Sequence, residues 1–232
     1  MNKLLNALVL SSLATSAWAL DFDANVNSPG PGVFYGGGNA NGGWTVGTAN
    51  GIELGLRTKQ RYPADNVYNS GGNGVYTWTD ALGNGPVGQN RSSWNYDFSL
   101  NVSGTGLAIG AFTYKLWIDS DPSAGHSWSI IDPSSIPDNA VSGTAYEQNS
   151  ENARFAGVGL AGYDNTIAGS YDFVLQASDV SGVLTETYMR VNVNGGTAAG
   201  SFNGNVPDAG SSVLMLGSVL SGLALLRRKV TN

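Results

Sequence analysis

From Trp94 to Val102 the chain alternates without a break. Trp94, Tyr96, Phe98, Leu100 and Val102 are apolar or aromatic, and Asn95, Asp97, Ser99 and Asn101 between them are polar. Successive side chains of a strand point to opposite faces, so this run makes a strand with one apolar face and does not fit the longer period of an amphipathic helix. The same period returns at Phe112, Tyr114, Leu116 and Ile118, and at Tyr171, Phe173, Leu175 and Ala177. Further candidate strands are Trp44 to Val46, Ile52 to Lys59, Val75 to Thr79, Ser127 to Ile131, Thr144 to Gln148 and Leu184 to Val193. Between them lie Ser70-Gly71-Gly72-Asn73-Gly74 and Gly83-Asn84-Gly85-Pro86, which is turn chemistry. With 33 glycines in 232 residues and only 12% charged residues, the chain is suited to many short strands and tight turns. About nine such strands predict an all-β domain, an antiparallel β-sandwich of jelly-roll-like form, over residues 20–193. One helical turn is expected around Glu151 to Phe155.

The two ends follow another logic. Lys3, the apolar run Leu4 to Leu13 and the small-residue pattern Ala17-Trp18-Ala19 have the layout of a secretory signal peptide cleaved after Ala19. At the other end 18 uncharged residues, Ala209 to Leu226, precede Arg227-Arg228-Lys229. As a helix this stretch is about 27 Å long, near the thickness of a hydrocarbon core. The basic stop places the C-terminus in the cytoplasm and the preceding domain outside. A Gly/Asn-rich linker, residues 194–205, joins the domain to this segment, residues 206–232.

Immediately before the apolar stretch stand Val206, Pro207, Asp208, Ala209 and Gly210. Motif, glycine-rich spacer, apolar helix and basic stop resemble the C-terminal sorting signals of the PEP-CTERM type, in the variant named for a Val-Pro-Asp-Ser-Gly motif. Ala209 takes the place of that serine. The resemblance implies that an exosortase, a membrane-embedded cysteine transpeptidase-like enzyme, processes the chain. It also implies release to the surface of a bacterium that exports polysaccharide. Segments such as Ile52 to Arg61, Tyr114 to Asp119 and Gly169 to Leu175 look like stretches of the secreted domains of this group, and no activity comes with that likeness.

Composition narrows the chemistry. Without cysteine there is no disulfide, thiolate nucleophile or zinc finger, and a single histidine excludes a multi-histidine metal centre. Residues 20–207 keep 7 basic and 16 acidic groups, a net charge of −9, which argues against nucleic acid as a partner. Three of the seven cations, Arg57, Lys59 and Arg61, alternate along one strand and would form a row about 13 Å long, a candidate contact for an anionic polymer. Trp117 lies on the opposite face from Tyr114 and Leu116, which makes it the candidate for stacking on a sugar. Asp119 and Asp121, with Asp132 downstream, are the candidate ligands of a weakly bound calcium ion, although Pro122 intervenes and the loop does not match an EF-hand. No other cofactor is expected. Asn90-Arg91-Ser92 and Asn101-Val102-Ser103 have the form of glycosylation sequons.

These features lead to the expectation of an exported, non-enzymatic surface or matrix protein, transiently anchored in the inner membrane and associated with exopolysaccharide. A carbohydrate-binding module is the alternative among binding proteins. A hydrolase using carboxylates such as Asp119 and Asp121 is the alternative among enzymes, and no G-x-S-x-G elbow offers a serine nucleophile. A domain that stays tethered by an unprocessed C-terminal helix is the third.

Overall fold

A computed structural model describes residues 19–27, 40–62, 66–80, 91–136 and 141–197. Eleven strands lie within them: β1 (Ala19–Ala24), β2 (Trp44–Ala49), β3 (Ile52–Gln60), β4 (Val75–Trp78), β5 (Trp94–Asn101), β6 (Thr113–Asp119), β7 (Trp128–Ile131), β8 (Val141–Gly143), β9 (Tyr146–Asn152), β10 (Gly169–Asp179) and β11 (Gly182–Val193). The helical backbone among the described residues is confined to three single 3-10 turns, and no helix there is long and apolar enough to cross a membrane. The expected signal helix up to Trp18 and the expected C-terminal transmembrane helix lie outside the described residues. Glu151 and Asn152 finish β9, so the helical turn expected from Glu151 is replaced by strand followed by a turn in which the Phe155 amide donates to the Asn152 carbonyl at 2.9 Å.

The strands form a six-stranded sheet, β1-β2-β3-β5-β9-β8, and a five-stranded sheet, β4-β11-β10-β6-β7. All pairings are antiparallel except β4 with β11, which runs parallel from Arg190 opposite Val75 to Val193 opposite Trp78. The expectation of a wholly antiparallel arrangement is corrected there. Hairpins β2–β3, β6–β7, β8–β9 and β10–β11 keep consecutive strands within one sheet, which differs from a jelly-roll-like wind. The β2–β3 hairpin turns on Asn50 and Gly51, both at positive φ (54° and 75°), the backbone that a two-residue turn between twisted strands requires. A Cβ on Gly51 would also stand 2.7 Å from the Gly104 carbonyl.

The alternation in the sequence defines the core between the sheets. Ile52, Leu54 and Leu56 of β3, with Trp94, Tyr96, Phe98 and Leu100 of β5, face Leu116, Phe173, Leu175, Met189 and Val191 of the other sheet in one buried cluster. Each large apolar side chain so buried contributes about 1.5–3 kcal/mol. The sheets approach closely at Gly47, where a Cβ would lie 2.0 Å from the Glu186 carbonyl oxygen. The Thr187 hydroxyl donates across the same contact to the Thr45 carbonyl at 2.9 Å.

The central part of the outward face of the six-stranded sheet is covered as well, while Ala19, Asp21 and Thr48 toward the β1 edge are exposed. Val26, Trp44 and Val46 make a second small core there. Beside them the polar residues of β5 and β9 interlock. Gln148 donates to Ser99 (2.9 Å), Asn95 to Ser150 (2.9 Å) and Asn152 to Asn95 (2.9 Å). Asn101 is buried in this layer, which closes its sequon in the folded chain.

Arg57 sits at the centre of that layer and is fully buried. Its Nε donates to Asp97 Oδ2 at 2.7 Å, and Nη1 donates to the Ala40 and Gly42 carbonyls at 3.0 and 2.9 Å. The guanidinium carbon lies 4.2 Å from the Trp44 ring centre and 4.5 Å from that of Tyr68. Removing one member of a buried pair strands the other charge. Arg57→Ala or Asp97→Ala is therefore expected to lower unfolding stability by about 3–5 kcal/mol in denaturant titrations, whereas an Arg57→Met/Asp97→Leu double variant should recover most of the loss. Equal losses in the single and double variants would refute the pair's role.

Candidate functional site

The outward face of the five-stranded sheet carries side chains outside the core, some buried against one another and some exposed. Strand parity turns Trp117 of β6 and Trp128 and Ile130 of β7 to this face, because Leu116 and Ile131 are paired inward. Trp117 is half-buried, and its ring meets that of Trp128 edge-on at 6.3 Å and 90°. The His126 imidazole stacks on Trp128 at 5.1 Å and 21°. Trp117 donates from Nε1 to Gln176 at 3.2 Å, and Gln176 donates in turn to Glu186 at 2.7 Å. Across the sheet Val174 pairs with both Trp117 and Tyr188 and is fully buried between them. Ile130, opposite Trp117, is 50% exposed. The result is a strip of rings with amides and paired charges along its margins.

One margin is built on Asp119, at the end of β6. Its buried carboxylate takes His126 Nδ1 on Oδ2 at 2.8 Å and the amides of Asp121 and Ser127 on Oδ1 at 3.0 and 2.7 Å. A single side chain thus shapes the loop and holds the histidine ring against Trp128. Asp172 lies beside it in a two-point pair with Arg190, Nε to Oδ1 at 2.7 Å and Nη2 to Oδ2 at 2.8 Å. That pairing raises the Arg190 guanidinium further above its ordinary pKa.

Asp119 and Asp121 are the expected calcium pair. Among the described residues the cluster whose ligand atoms lie within 4.8 Å of one another is Asp119, His126 and Asp172, and Asp121 is not part of it. Asp121 instead accepts the Ser123 amide at 2.9 Å as an exposed turn cap. The Ser123 amide and then its hydroxyl hold the Asp121 carboxyl below its usual range. In the cluster that forms, both carboxylates are already engaged by Arg190, His126 and amides.

The expected cationic row is also corrected. Arg57, Lys59 and Arg61 keep the parity read from the sequence, but Arg57 is buried under Trp44 and Tyr68, Lys59 is half-buried, and Arg61 lies past the end of β3 with its guanidinium 5.3 Å from the Tyr62 ring centre. No continuous exposed row remains, because this face of the sheet is covered.

One titratable group escaped the sequence reading. Glu147 of β9 pairs with Leu100 and so shares its inward face. Burial, and then the negative charge of Asp132, push its carboxyl from 4.5 to about 7. Burial, and then the charges of Glu147 and Asp132, push the Tyr114 phenol up in turn. The polar run Glu147 to Asn152 has no apolar alternation to fix its register, so only pairing with β5 reveals which positions face in.

Residues 205–230 match the family model described as the VPDSG-CTERM motif. The C-terminus is a VPDSG-CTERM sorting signal. The match takes in Val206 to Gly210, with Ala209 in the serine position, the apolar stretch and the basic residues Arg227, Arg228 and Lys229. VPDSG-CTERM signals are a variant of the PEP-CTERM exosortase signals, so the chain carries the address of an exported, sorted surface protein. No characterised protein and no solved structure matches the chain.

The state of Glu147 has a measurable consequence. Between pH 4.5 and about 7 the folded chain retains a proton that the unfolded chain has released, so this group makes stability fall as pH rises through that window. Glu147→Gln is expected to flatten that part of the profile and to raise the melting temperature more at pH 8 than at pH 4.5. An unchanged profile, followed by circular dichroism across this range, would count against the assignment.

Proposed function

We propose that the chain is a non-enzymatic surface or extracellular-matrix protein that associates with exopolysaccharide. In this reading a signal peptide directs export, the segment 209–226 anchors the chain with its C-terminus in the cytoplasm, and an exosortase-type enzyme then releases residues 20 to about 206. The observation that carries it is the sorting signal at residues 205–230, joined to a β domain by the Gly/Asn-rich linker 194–205. Pro207 supports it physically: proline disfavours helix at the preceding residue and breaks a helix interior, which opposes continuation of the 209–226 segment back through the motif and favours access for an enzyme.

Intact mass of the protein from the surface and culture fractions of its host tests the processing. The expected species begins near Leu20 and ends between Val206 and Gly210, and Pro207→Ala should lose or slow it. Full-length C-termini confined to the membrane fraction would refute release and favour a permanently tethered domain.

The Trp117, Trp128 and His126 strip favours a carbohydrate-binding module as the more specific form of this reading. Aromatic faces offer the apolar surface on which sugar rings stack, and the neighbouring amides offer hydrogen bonds. Trp117→Ala and Trp128→Ala are each expected to weaken retention on host polysaccharide in affinity electrophoresis by about tenfold, or about 1.4 kcal/mol. Unchanged retention in both variants would remove the strip from the reading.

A further inference from the structure

Where β3 runs out beyond Gln60 and β4 ends beside it, a cleft of about 560 Å³ opens between the two sheets. That volume lies within the range of about 300–1,000 Å³ typical of small-molecule sites. Its described lining carries no charged residue. Gln60, Asn69 and Thr77 contribute amide and hydroxyl groups, Tyr62 forms part of the wall, and the buried Ser93 and Trp78 are part of the lining. Trp78 is fixed from behind by its Nε1, which donates to the Thr58 hydroxyl at 2.8 Å.

The walls are held by the backbone. The Arg61 and Tyr62 amides both donate to the Ser93 carbonyl, at 2.7 and 3.2 Å. On the other side the Thr77 amide donates to the Asn69 carbonyl at 3.1 Å and the Gly71 amide to the Val75 carbonyl at 2.7 Å. A ligand therefore meets a shape already set, which lowers the ordering cost of binding. The Ser93 hydroxyl adds a second observation. It is buried and has no hydrogen-bond partner among the described residues, whereas a buried hydroxyl in a folded chain is ordinarily paired with protein or with ordered water, which a small shift at the cleft wall would let a ligand replace.

We infer that this cleft binds a short segment of neutral glycan. A ligand rich in hydroxyls can pair with the amides and hydroxyls, and its C–H face can lie on Tyr62. A purely apolar ligand would leave those polar groups buried and unpaired. An acidic sugar finds no cation in the described lining and meets a domain of net charge −9; the Arg61 guanidinium is not part of that lining and lies 5.3 Å from the Tyr62 ring centre. The inference rests on the polysaccharide association proposed above and gives it a ligand class and a site separate from the Trp117 strip.

Saturation-transfer NMR on the full-length chain in detergent micelles tests it, with cellotriose, maltotriose and tri-N-acetylchitotriose as neutral probes and trigalacturonate as the charged one. At least one neutral probe is expected to bind, with trigalacturonate at least about tenfold weaker, and Tyr62→Ala is expected to weaken the neutral probe about tenfold. Ser93→Ala should weaken it about threefold while leaving the melting temperature unchanged or raised, because the hydroxyl it removes has no partner among the described residues. Failure of all three neutral probes, or equal binding of trigalacturonate, would overturn the inference. Binding that survives Tyr62→Ala but is lost in Trp117→Ala would overturn the cleft alone and leave polysaccharide association standing.

Discussion

The buried guanidinium of Arg57 is the interaction on which the outer half of the molecule depends. Taking a charge out of water costs several kcal/mol, and here the cost is offset by a carboxylate, two backbone carbonyls and two aromatic faces. Those partners come from β2, β5, the Ala40 to Gly42 approach and Tyr68. One side chain of β3 therefore fastens a covering layer onto the six-stranded sheet. Nearby, Glu53 accepts the Asn27 amide at 2.8 Å and its side-chain amide at 2.6 Å, which continues the same fastening. With the centre of that sheet buried on both faces, the surfaces among the described residues that suit a ligand are the outward face of the five-stranded sheet and the cleft between the sheets.

The use of charge follows from this. Few cations are present, and most that the structure describes are turned to internal work. Arg57 holds Asp97, Arg190 holds Asp172, Arg154 donates to Asn165, and Arg91 lies over Phe155 at 4.3 Å. An acidic domain whose cations are structural is poorly disposed to grip a polyanion by charge. Rings, amides and hydroxyls remain for recognition, both on the Trp117 strip and in the cleft beside Tyr62, and they are the groups that suit uncharged sugars.

Much of the fold was legible because period 2 is a strong signal. The inward residues of β5, β6 and β10 fall where alternation put them, and Trp117 takes the outward parity expected of it. Alternation says which face a residue occupies, however, and not whether that face is wet. Asn95, Asp97, Ser99 and Arg57 were assigned to the correct side and are nevertheless buried, because Val26, Trp44 and Val46 share that side and it is covered. The partners of Trp117 were hidden for a different reason. Trp128 and His126 reach it only through the pairing of β6 with β7, and no local pattern announces that register. The parallel β4 has no local signature either, since four residues alternate in the same way in either direction.

The two ends of the domain stand differently toward processing. β11, the last strand before the sorting signal, lies inside its sheet between β4 and β10 and pairs with both. A pull on the C-terminal side would therefore fall on a strand held by β10 along Gly182 to Val193 and by β4 over Arg190 to Val193. β1 is an edge strand with one partner, and the expected signal cleavage falls within its ladder, where Ala19 pairs with Thr48 and Leu20 with Gly47. A protease that reads extended backbone needs those hydrogen bonds open. In the proposed reading, leader removal therefore belongs before β1 closes onto β2, while the C-terminal signal, separated from β11 by residues 194–205, can be processed after the sheets are complete.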